Sequence, residues 1–232
     1  MKRISDKILI IIRSLVVIFL FYYSVYFQYI PVLIFHIDLK AISGNMRMAV
    51  LFSIFSDLIL LFILLCIYRK EIIQELKTFI KNFKENMDIG FSSWTTGLLI
   101  MFVSNMILVN IFHSEGANNE IAVRTMIHAF PLVMGLDACL LAPFIEEIAF
   151  RKTLKDVFKN RYLFIVLSFL AFGFAHVSGM ATSIVDWLYV IPYGALGGVF
   201  AYAYSKTDSV FTSYIFHMIH NTIVFLLTIF IL

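Results

Sequence analysis

Pro143-Phe144-Ile145-Glu146-Glu147-Ile148-Ala149-Phe150-Arg151 places two adjacent carboxylates and a guanidinium inside a run that is otherwise apolar. In lipid an ionisable side chain is expensive and marks a functional site by default. Whether lipid is the right solvent decides the fold. The chain has 232 residues, of which 61% are hydrophobic, 16% aromatic and 14% charged. A soluble globule carries about a quarter charged residues, so this composition describes an all-α, polytopic transmembrane helix bundle, taken as one domain over residues 1–232.

Outward from that stretch, segments of about 20 mostly apolar residues qualify as spans. Seven are expected, roughly Ile8 to Tyr29, Met48 to Tyr68, Trp94 to Phe112, Met126 to Phe150, Tyr162 to Val177, Ser183 to Tyr204 and Val210 to Leu232. The basic start, Met1-Lys2-Arg3, resembles a signal peptide, but no small-residue cleavage site follows and Phe21-Tyr22-Tyr23 continues the run, so an uncleaved first span is expected. Basic residues cluster on alternate connections. Lys2, Arg3 and Lys7, five between Arg69 and Lys84, five between Arg151 and Arg161, and Lys206 all fall on one side, whereas Lys40, Arg47 and Arg124 fall on the other. The positive-inside rule then puts the N-terminus in the cytoplasm.

Between Arg69 and Asn86, apolar residues at Ile72, Ile73, Leu76, Phe79, Ile80 and Phe83 follow helical spacing, which predicts an amphipathic helix lying on the membrane surface. In the sixth span Gly194, Gly197, Gly198 and Ala201 give small-xxx-small spacing, which favours tight packing against a neighbouring helix. Cys66 and Cys139 sit in apolar runs as small hydrophobes rather than a disulfide.

The spans also hold Asp57, Asp137, His176, Asp186, His217, His220 and Asn221. Each taken alone reads as an interhelical hydrogen bonder. Depth changes that reading. At ~1.5 Å per residue, Glu146 and His176 lie roughly 21 and 24 Å above a turn near Asn160, and His217 and Asn221 roughly 15 and 21 Å above a turn near Thr207. Residues four apart share a helix face, which pairs Phe172 with His176, His217 with Asn221, and Glu147 with Arg151. If Arg151 pairs with Glu147, Glu146 is left as the carboxylate free to move a proton. Glu146, His176 and His217 could alternatively hold Zn²⁺ with a water in the fourth position.

The ordered set Glu146-Glu147-x-x-x-Arg151, Phe172-x-x-x-His176 and His217-x-x-x-Asn221 resembles the CAAX protease and bacteriocin-processing (CPBP, or Abi) family of intramembrane endopeptidases, over about residues 138–225. The family's larger eukaryotic members have eight membrane helices, which sets eight beside the seven spans expected here. The resemblance implies a metal-free peptidase in which Glu146 and His176 activate a water, His217 and Asn221 bind the oxyanion, and Arg151 and Phe172 support them. Glu147 would assist proton transfer. It implies a peptide or membrane-protein substrate, the lipid bilayer as surroundings, a multi-pass place in the cell membrane, and no nucleic-acid partner. Two competing readings are a non-catalytic immunity or binding protein on the same scaffold, and a transporter relaying protons through Asp57, Asp137 and Glu146.

Overall fold

The computed structural model describes residues 2–38, 44–114 and 116–231, and every described element is helical. Lys40, expected in an outer loop, lies outside the described residues. The first helix, α1 (Lys2–Tyr23), continues through a 3₁₀ turn (Ser24–Gln28) into α2 (Tyr29–Phe35). Then come α3 (Met46–Lys81) and α4 (Phe83–Phe112), followed by the shorter α5 (Asn118–Ala129). A helical run over 131–157, here α6, leads to α7 (Arg161–Val177), the single turn α8 (Ile184–Trp187), α9 (Val190–Thr207) and α10 (Val210–Phe230). Side-chain caps fix several starts: Asn45 accepts from the amides of Arg47 and Met48, Asn160 from Leu163 and Ser209 from Phe211.

Among the described residues five helical stretches are long and apolar enough to cross a membrane: Asp6–Phe35, Met46–Lys81, Phe83–Phe112, Ile184–Thr207 and Val210–Phe230. The other two expected spans correspond to α7, apolar but only 17 residues long, and to α6, which carries charge along its length. Large apolar residues such as Phe62, Leu99, Phe102 and Ile111 face outward, a surface suited to lipid rather than water.

The surface-lying amphipathic helix expected over Arg69 to Asn86 is not a separate element. No Gly or Pro interrupts the chain there, so α3 runs on to Lys81, a helix of about 54 Å, and a single-residue break at Asn82 starts α4. Two of the acids on that stretch turn inward. Arg13 of α1 pairs with Glu71 and with Asp156, each at 2.6 Å, while its guanidinium lies over the Tyr68 ring. Glu75 accepts from the Tyr204 hydroxyl and from the Val210 amide, both at 2.8 Å, and lies 3.4 Å from Lys152. This network ties α1, α3, α6, α9 and α10 together at one end of the bundle.

Two of the α9 glycines, Gly194 and Gly197, do what their spacing predicts. A Cβ on Gly197 would stand 2.7 Å from the Phe172 Cβ and 2.9 Å from the Ser168 carbonyl oxygen, and one on Gly194 would stand 2.8 Å from the Phe169 ring, so α7 and α9 approach too closely for a side chain. Gly198 is different, because its Cβ would meet Phe169 at an ordinary 3.6 Å. Gly197→Ala is therefore expected to cost about 1–3 kcal/mol and to lower the thermal unfolding midpoint in detergent. Gly198→Ala should leave the midpoint near that of the native protein; equal midpoints for both variants would refute the close α7–α9 approach.

Candidate active site

The site is built on α6, whose helical register is interrupted twice. Pro131–Leu136, Ala142–Glu146 and Thr153–Val157 are α-helical, and the π turns Asp137–Leu141 and Glu147–Lys152 separate them. Such turns add a residue to one turn of helix and are frequent at functional sites. In the first, the amide of Ala142 bonds back to the carbonyl of Asp137, five residues earlier. The next carbonyl, Ala138, would need the amide of residue 143 in that register, and residue 143 is proline, which has none. Asn221 of α10 fills the gap: its Nδ2 donates to the Ala138 oxygen at 2.8 Å.

The second π turn carries Glu147 and Arg151 into the protein interior, where both are fully buried. His217 Nδ1 donates to Glu147 Oε1 at 2.9 Å, and Arg151 Nη1 lies 3.4 Å from the same oxygen. The guanidinium lies over the rings of Phe172, at 4.1 Å, and Phe200, at 5.8 Å. Its nitrogens have no hydrogen-bond partner among the described residues, so charge attraction and ring faces stabilise it. The expected Glu147–Arg151 pair is present, and His217 joins it. The other ring nitrogen of His217, Nε2, points towards Glu146 and lies 3.6 Å from its Oε2. Phe200 stacks on the His217 ring at 5.2 Å.

Glu146, His176 and Asn221 line one cavity of about 420 Å³, together with Asp137 and His220. His176 Nδ1 lies 2.9 Å from the Phe172 carbonyl. A carbonyl can only accept, so Nδ1 carries a proton, and in the neutral ring Nε2 keeps its lone pair. The ring stacks on Tyr193 at 4.7 Å and packs on Phe172 at 4.2 Å. The structure thus brings all five candidate polar residues into one neighbourhood, three of them on the cavity wall. Glu146, His176 and Asn221 line the cavity, whereas Glu147 and His217 stand behind its wall. The sequence reading missed Tyr193 and Phe200, whose signal was no stronger than that of any aromatic in α9. Among the described residues no group of three His, Cys, Asp or Glu side chains converges closely enough to hold a metal ion, the alternative Glu146, His176 and His217 set included.

Residues 126–223 match the family described as type II CAAX prenyl endopeptidase Rce1-like, a region that contains every candidate site residue. The Bacillus subtilis (strain 168) protein named "Putative membrane peptidase YdiL" is 28% identical over 111 residues, which is 47% of this chain and 42% of that protein. No solved structure matches the chain at a significant level.

Removing one member of a buried ion pair strands the other. Arg151→Met should destabilise the protein by about 3–5 kcal/mol, read as a fall in the unfolding midpoint. The double variant Arg151→Met/Glu147→Gln should recover part of that loss because the stranded charge is gone. An equal loss in both would mean that Arg151 acts only by packing on Phe172 and Phe200.

Proposed function

We propose that the chain is a membrane-embedded endopeptidase that hydrolyses a peptide bond in a peptide or membrane-associated protein. The chain matches less than half of its curated relative, so the reading rests on the site. The observation that carries it is the shared cavity of Glu146 and His176, with His176 Nδ1 occupied by the Phe172 carbonyl and Nε2 left to accept a hydrogen bond. A water between the Glu146 carboxylate and His176 Nε2 finds two acceptors and no donor from them, so its oxygen is turned towards a substrate carbonyl with its protons held behind.

Attack forms the new C–O bond as one water proton passes to Glu146. The carbonyl oxygen becomes an oxyanion and needs donors that are already in place. Asn221 keeps one N–H after its bond to Ala138. His217 is held through Nδ1 by Glu147 with Nε2 turned towards Glu146, where an N–H would be the second donor. The proton on Glu146 then passes to the leaving nitrogen as the C–N bond breaks. In this reading Glu147 and Arg151 position His217 rather than touching substrate, and Phe172 supports both Arg151 and His176.

The placement of basic residues supports a cytoplasmic N-terminus, with α6 and α7 completing seven spans of a single multi-pass domain in the cell membrane. The substrate cavity then opens within the bilayer, and no nucleic acid takes part. Purified Glu146→Ala and His176→Ala proteins should retain their unfolding midpoints and lose cleavage of a membrane-peptide substrate by about 100-fold or more, while a chelator leaves the native activity unchanged. Full activity in either variant would remove the proposed water-activating pair.

A further inference from the structure

Asp137 is 8% exposed, lines the same cavity as Glu146, and its Oδ1 has no hydrogen-bond partner among the described residues. Its side chain meets that of Asp57, which α3 brings across to α6, and both carboxyls are near enough to Glu146 to interact with it electrostatically. Glu120, paired with Arg124 at 2.5 Å, adds a further acid to the lining, whereas no Lys or Arg side chain among the described residues lines the cavity. The cavity is therefore acidic above its catalytic floor. The proposed hydrolysis has no use for the Asp57–Asp137 pair.

A carboxyl oxygen that is buried and unpaired in low dielectric has to be compensated. Asp57 bonds the Asp137 carboxyl from behind, but no Lys or Arg side chain among the described residues faces the open Oδ1, so a positive charge there has to come from what binds. We infer that the Asp57–Asp137 pair is a substrate subsite that takes a cationic side chain, lysine or arginine, close to the bond that is cut. The inference rests on the endopeptidase reading and adds a substrate class to it. Asp137 precedes Glu146 by nine residues on one helical run, a rise of about 13 Å. An extended peptide advances ~3.3 Å per residue, which places the basic residue within about four positions of the scissile bond. A cationic side chain hydrogen-bonded to Asp137, with Asp57 adding its charge from behind, forms a charge-assisted contact in a dry site, where such contacts discriminate most strongly against a neutral isostere.

The test is binding, read where no turnover occurs. Glu146→Gln protein in detergent is titrated with fluorescein-labelled Ala/Leu decapeptides that carry a single lysine at successive positions, or norleucine at the same position. At one position the lysine peptide should bind about 10-fold or more tightly than its norleucine partner. Adding Asp137→Asn should bring the ratio close to one, and adding Asp57→Asn instead should lower it, which gives a second variant if the first does not fold. Equal binding of the two peptides, binding of neither, or a preference that survives in a folded carboxamide variant overturns the subsite; a pair that merely shares a proton gives the first of these results. The two readings fail separately. Lysine-selective binding without cleavage by the native protein would leave the subsite standing and sink the endopeptidase, and cleavage lost in Glu146→Ala without lysine preference would do the reverse.

Discussion

A carboxylate buried beyond the reach of water must find its compensation inside the protein, and Glu147 finds it in a guanidinium and an imidazole that reach it from different directions. Arg151 approaches from the same π turn and the His217 imidazole from α10, both to the one oxygen Oε1. Because His217 is held by its back nitrogen, the front nitrogen has little freedom, and it comes to rest facing Glu146. Phe172 and Phe200 close over the cluster, one beneath the guanidinium and the other stacked on the imidazole. The site is therefore oriented by a buried charge that is not itself on the cavity wall.

That cluster needs helices that do not drift. The α7–α9 contact, free of side chains at Gly194 and Gly197, holds Phe172 in place under Arg151. At the charged end of the bundle, Glu75 joins Tyr204 and the start of α10, and Arg13 joins α1 to α3 and α6. His217 lies two turns beyond the amide that Glu75 holds, so the end of the bundle and the site share one rigid element.

Much of this could be read in advance. Spacing of four along a helix and a common rise from two turns were enough to gather Glu146, Glu147, His176, His217 and Asn221, because helix geometry converts residue number into face and height. The composition likewise announced an all-helical membrane bundle. What stayed hidden depends on contacts rather than on periodicity. Asp57 gives no local sign that its partner is Asp137, and Tyr193 and Phe200 look like any other aromatic in an apolar span. The continuation of α3 past Tyr68 was misread because a polar helical face looks the same whether its acids meet water or meet Arg13 and Lys152.

The π turn at Asp137–Leu141 carries one more implication. A proline in a membrane helix is usually regarded as a kink, but Pro143 acts here as a missing donor, and the vacancy is passed to another helix as a demand on an asparagine. Asn221 thus serves two masters: one N–H of its amide repairs a backbone while the side chain lines the cavity. Its orientation is set by helix construction before any substrate arrives. A residue at 143 with its own N–H would relieve the backbone and leave the Asn221 amide free to rotate, so the aim of a side chain on α10 is written into the absence of a hydrogen on α6.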